Sequence, residues 1–196
     1  MRTTRIAATL TAAASLTLAA AAAARRPEPL TFSPVPVTAV PAATLDDPTI
    51  VAIFDAANTA DIETGQLAAE RGHSKEARDF GAMLTRDHNA VRQLGRDLAK
   101  RLGVTPTPPA DDASAKAHAD AMATLRGLRG AEFDHAFLQH EAAFHKSVLD
   151  AVRTTLLPAI KNEELKALVV KVAPAFEAHM IAAQNLDKQL AAKSSE

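Results

Sequence analysis

The chain has 196 residues, 47% of them apolar, with no Cys, Trp or Tyr, seven Phe, seven Gly and a net charge of -1. That length suits one domain with a real core. The shortage of aromatic residues and glycine argues against a β-sandwich or barrel, and the abundance of alanine and leucine favours helices. Without cysteine there is no disulfide framework, thiolate metal site or cysteine nucleophile, and the near-neutral charge supplies no basic field for nucleic acid.

Met1 to Arg5 carries two arginines and no acid, and Ile6 to Ala24 is an unbroken run of small and apolar residues ending in Ala22-Ala23-Ala24. This is the pattern of a secretory signal cleaved near Ala24; as a transmembrane anchor the run is about long enough to span, but alanine is only weakly apolar and the small-residue exit fits cleavage better. Removing residues 1–24 takes the basic count from 22 to 20 against 23 acids, so the mature chain carries -3. The expected location is the periplasm, or another exported compartment. Arg25 to Asp47 contains Pro27, Pro29, Pro34, Pro36 and Pro41 and reads as a flexible linker.

Residues 48–192 read as a helical bundle domain. The first helix is expected over about Pro48 to Arg71, with Pro48 in its first turn and a stripe through Ile53, Ala57, Ala60, Thr64 and Leu67. Gly72 ends it. Ser74 offers an N-cap for a second helix reaching Leu102, where Gly103 and three prolines stop it. So short a connection makes the pair antiparallel. Asp111 to Arg129 reads as a short, polar helix in a crossover. A third long helix is expected over Ala131 to Leu156 and a fourth from Asn162 to Ala192, with a kink at Pro174.

His88, His145, His179 and Glu141 fall on or beside the apolar stripes of three different helices. A buried carboxylate is costly unless it is paired, protonated or bound to a metal. Inward histidines with one carboxylate therefore either satisfy one another or hold a cation, and this donor set suits Zn, Fe, Mn or Cu. Counting residues from the expected turns puts Glu141 level with His179 and His145 one turn shallower. The same count puts His88 level with Asp55 to Thr59, where Asp55 and Asn58 are polar but off the main stripe. Glu63 is a further ligand candidate, although it lies about 9 Å out of register with His88. Asp87 is placed to orient a ligand histidine. His73 and His118 are expected at the surface. His135 and His140 flank the third helix's stripe and are assigned to the site's surroundings or the surface. Asp134 and Glu177 receive the same assignment. Neither a nucleophile elbow nor a glycine-rich phosphate loop is present, and no aromatic residues interleave with basic ones to make a nucleic-acid platform.

The stretches Phe54 to Glu63, Arg86-Asp87-His88, Phe133 to Phe137, His140 to His145 and Pro174 to His179 resemble, in combination, the bacterial domain-of-unknown-function family 4142. The resemblance spans about Pro48 to Leu190. It implies an all-α, ferritin-like four-helix bundle with a short extra helix in the crossover, and an exported protein. It also implies that the recurring polar positions are Glu63, Asp87, His88, Asp134, Glu141, His145 and His179. Ferritin-like di-metal proteins place a Glu-x-x-His on two helices, whereas here Thr85 and Phe176 stand three residues before His88 and His179. A single-metal site fits better than a di-iron oxidase. The readings carried forward are a metal-binding bundle of the envelope, a metal-free structural or interaction bundle, and a metal-dependent oxidoreductase of the oxidase or catalase type.

Overall fold

A computed structural model describes residues 45–110 and 113–193. The expected signal segment 1–24 and the proline-rich stretch as far as Thr44 lie outside the described residues. Apart from the connections, the described residues are helical, without a strand: α1 (Asp47–Arg71), α2 (Lys75–Leu102), α3 (Ala113–Gly127), α4 (Gly130–Ala151), a π-helical turn (Val152–Leu156), one further helical turn α5 (Leu157–Ala159) and α6 (Glu163–Lys193). No helix among them is long and apolar enough to cross a membrane.

The helix ends follow from local chemistry. Asp46 caps α1 by accepting from the Thr49 amide at 2.9 Å, and Ser74 caps α2 by accepting from the Ala77 amide at 3.1 Å. Gly103 closes α2 in the left-handed conformation, at φ 65°. Asn162 caps α6, its Oδ1 accepting from the amides of Glu164 and Leu165. Pro174 does not interrupt α6, which runs through it. The proline sits on the exposed side, where water can replace the missing amide donor.

Helices α1 and α2 pack along their length as one pair, and α4 and α6 as another; α2 also meets α6, and α1 meets α4. Two facing glycines bring α1 and α2 unusually close. A Cβ at Gly65 would stand 2.7 Å from the Gly81 carbonyl oxygen, and one at Gly81 would stand 2.6 Å from that of Gly65. Helix α3 seals one flank with Met122 and Leu125, which join Leu84, Phe133 and Phe137 in the core.

Residues 45–47, expected at the end of the linker, belong to the folded unit instead. Leu45 is buried among Ile50, Leu98 and Ile160. Asp47 opens α1 and accepts from the amides of Lys161 and Asn162, both at 2.9 Å, tying the start of α1 to the start of α6. Asp134 does the same at the other end. It is buried, not peripheral, and its two oxygens accept from the His73 and Ser74 amides at 2.8 and 2.7 Å. The tight turn between α1 and α2 is thereby fixed to α4.

Candidate metal centre

Four helices bring polar side chains to one level of the core. Helix α1 supplies Asn58, Asp61 and Thr64, α2 supplies His88, α4 supplies Glu141 and His145, and α6 supplies His179. All of them are buried. The apolar ring of Phe176 packs against the group, with its centroid 4.9 Å from that of His88 and 5.7 Å from that of His145.

The hydrogen-bond partners fix the tautomer of each imidazole. Asn58 uses its Nδ2 to donate to the Phe54 carbonyl at 2.7 Å, so its Oδ1 is the atom that accepts from His88 Nδ1 at 3.0 Å. His145 Nδ1 donates to the backbone carbonyl of Glu141 at 2.9 Å. His179 Nε2 donates to Asp87 Oδ2 at 3.3 Å. A neutral imidazole has one N–H and one lone pair. With every N–H directed outward, the lone pairs of His88 Nε2, His145 Nε2 and His179 Nδ1 are left facing one another. His88 Nε2 lies 3.2 Å from His179 Nδ1 and 3.4 Å from His145 Nε2. The three histidines form a group with one nitrogen from each within 4.8 Å of the others.

The rings are held neutral. Burial, and then the neighbouring His179, pushes His88 down to about 3. Burial and the other two imidazoles hold His145 well below the usual histidine range. Burial also lowers His179, with Asp87 opposing it. Proton sharing among three rings that resist protonation therefore does not account for the convergence at neutral pH.

Behind the triad lies a pair of carboxyl groups. Asp61 Oδ2 is 3.3 Å from His88 Nδ1, and Asp61 Oδ1 and Glu141 Oε2 are 3.8 and 3.6 Å from His145 Nδ1. When both groups are ionised none of the four carboxyl oxygens finds a donor, and a proton held by one is shared with the other. Burial pushes Glu141 up to about 7, with Thr64 and Asp61 opposing it. Burial and the adjacent Glu141 raise Asp61 well above the carboxylate range. Asp61, Glu141 and His145 form a second buried group of closely spaced donor atoms.

The arrangement differs from the sequence reading in six places. Glu141 is not level with His179; His145 is. The helical path continues past Leu156 through the π turn and α5 to Ala159, which moves the turn and places His145 14 residues before it and His179 16 residues after Glu163. Glu63 is on the surface, about half exposed, and its carboxylate bonds His118 at 2.8 Å instead of reaching the core. His118 is correspondingly half-buried, not solvated. His140 is buried, and burial followed by His118 pushes it down to about 4. The sequence reading missed Asp61, although the 3–4 spacing Ile50, Phe54, Ala57, Asp61, Thr64, Ala68 carries it directly on the inward face. Asn58 was located by depth and set aside for its angle; the structure buries it and gives it the His88 contact.

An all-helical domain that gathers three neutral imidazoles and two carboxyls from four helices defines a class: helical domains with a histidine-carboxylate centre in the core. The chain belongs to the family described as domain of unknown function DUF4142, whose family model matches residues 33–186. The match begins upstream of the helices, within the proline-rich stretch. No curated protein and no solved structure matches the chain.

Proposed function

We propose that this protein binds one divalent transition-metal ion through His88 Nε2, His145 Nε2 and His179 Nδ1, as an exported metal-binding protein with a ferritin-like helix arrangement. The observation that carries the reading is the convergence of three lone pairs. An ion bonded to imidazole nitrogens at about 2.0–2.1 Å in a tetrahedron separates them by roughly 3.3–3.4 Å, and two of the three nitrogen pairs are 3.2 and 3.4 Å apart, the third within 4.8 Å. Without a cation, those lone pairs repel. A metal-free interaction bundle therefore leaves the most unusual feature of the core unexplained.

The surrounding residues fit the same reading. Each ligand imidazole donates its outer N–H to an oxygen, which sets the tautomer and makes the inner nitrogen more basic. Asn58 and the Glu141 carbonyl do this inside the core, and Asp87 does it for His179 at the edge. Asp61 and Glu141, ionised, balance the charge of a divalent cation across the rings of His88 and His145. This gives four otherwise orphaned oxygens a favourable field in a medium of low dielectric. Three imidazoles favour zinc, copper or iron over manganese, which prefers oxygen donors. They also leave a tetrahedral ion one position short, which is the arrangement of a site that accepts an outside ligand.

Elemental analysis of the untagged mature protein, expected to begin near Arg25, tests the reading. One zinc, copper or iron per chain is expected. His179→Ala should lose the ion, and with it the drop in melting temperature that excess chelator causes in the wild type. A wild-type midpoint unmoved by chelator and by added Zn, Fe or Cu removes the proposal.

A further inference from the structure

Beside the histidine centre lies a narrow apolar pocket of about 30 Å³, partly open at the surface and lined by Ile53, Ala57, Val148, Val172 and Ala173 together with Asn58 and Phe176. It is built by α1, α4, the π turn and α6. Only carbon faces it. Its one polar lining residue, Asn58, has its amide committed to the Phe54 carbonyl and its oxygen committed to His88. A buried water needs two to four polar partners, so this space offers water nothing. Dry apolar cavities of about 150 Å³ take up benzene or xenon; a space five times smaller admits an occupant of one or two heavy atoms.

The cavity's position gives it a use. Asn58 and Phe176 are shared walls. Asn58 holds His88 in its tautomer, and the Phe176 ring lies edge-on to His88 and tilted against His145. A molecule in the cavity is therefore one side chain away from the three converging nitrogens. Native cores seldom keep voids, because each costs the dispersion contacts of its lining. This one sits where four elements were already brought together around a polar centre.

We propose that this cavity is a binding site for a small nonpolar molecule of diatomic size, the class of dioxygen, stationed next to the histidine centre. The role in supplying that centre rests on the metal reading above; occupancy of the cavity does not. The probe is xenon, applied under pressure to crystals of the full-length protein and its metal-loaded form. One xenon atom per chain is expected between Ile53, Val172 and Phe176 in both forms. Ala173→Leu, which adds carbons to the lining, is expected to lose the xenon and keep one metal ion per chain. Ordered water in the cavity, or no xenon in crystals that hold metal, overturns the inference and leaves the metal centre standing. Xenon bound in a protein that takes up no metal upholds the cavity site and overturns the proposed function instead. If Ala173→Leu does not fold, xenon occupancy in the wild type decides alone.

Discussion

Asp134 and Asp61 are both buried aspartates on core-facing sides of their helices, and the protein treats them in opposite ways. Asp134 accepts two backbone hydrogen bonds, from the His73 and Ser74 amides, and holds a turn to α4. Asp61 stands against Glu141 and two imidazoles, and when both acids are ionised neither of its oxygens finds a donor. Folding alone rewards the first arrangement, because bonds to a charged acceptor are among the stronger ones and leave no donor orphaned. It penalises the second, because two desolvated carboxyls repel each other. A buried polar group that the fold does not need is the one to examine for a ligand. By that criterion the two aspartates belong to different systems, one architectural and one chemical.

The largest effect expected from separating them is on stability, at the architectural site. Asp134→Ala orphans two amides at a turn that cannot rearrange without disturbing the start of α2. It should cost about 3 kcal/mol, a fall of roughly 6–12 °C in melting temperature for a domain of this size. Metal stoichiometry should stay at that of the wild type. Loss of metal with unchanged stability would reverse the assignment.

Asp61→Asn should do the opposite. Removing one of two facing carboxyls is expected to raise the stability of the metal-free protein by about 1–2 kcal/mol at pH 8 and to weaken metal binding by about 10–100-fold. The pH dependence follows from the directions of the shifts. Glu141 is raised to about 7 and Asp61 is also raised well above the carboxylate range, so their contribution is complete below the unfolded carboxylate range and is lost as pH climbs toward and through 7. His88 is depressed to about 3, so its contribution is complete above 6.5 and is lost as pH falls from 6.5 toward 3. The two oppose each other between about 4.5 and 6.5, and above 6.5 only the carboxyl slope remains. Metal-free wild type should therefore lose stability from pH 6.5 to 8, and Asp61→Asn should flatten that slope. With metal bound that loss should shrink, because a cation beside the histidines favours the ionised forms of Asp61 and Glu141. Thermal melts at three pH values, with and without chelator, read all of this; a slope indifferent to both metal and Asp61 would contradict the charge-balance role.

Much of this was legible in the sequence. The helices, their caps at Ser74 and Asn162, and the inward histidines follow from periodicity and punctuation, because each depends on residues within one turn of chain. The register between helices was harder to read. It depends on where the turn lies, and Val152 to Leu156 takes a wider π turn that leads into α5 before the chain reverses. Nothing in the pattern around Pro158 distinguishes that path from a stop at Leu156. Counting from the nearer end matched Glu141 to His179, where the structure matches His145. Asp134 was assigned to the surroundings or the surface for a related reason: its partners are backbone amides 60 and 61 residues away, which no side-chain pattern reveals.

Glu63 gives the smallest expected effect and the sharpest control for the comparison. It lies two residues from Asp61, yet that offset turns it about 200° around the helix and onto the surface. There it pairs with His118 of α3 at 2.8 Å, with about half of the Glu63 side chain exposed. An exposed pair of this kind contributes under about 1 kcal/mol. Glu63→Gln keeps the length of the side chain and a hydrogen-bonding oxygen for His118, so it should leave metal content unchanged and move the melting temperature by no more than about 2 °C. If Glu63 were a ligand, as the sequence reading allowed, the same substitution would strip the ion from the protein. Running Glu63→Gln beside Asp61→Asn in one elemental analysis asks which acid on α1 serves the histidines. The geometry answers Asp61, because it is buried against His88 and His145 while Glu63 is held outside by α3.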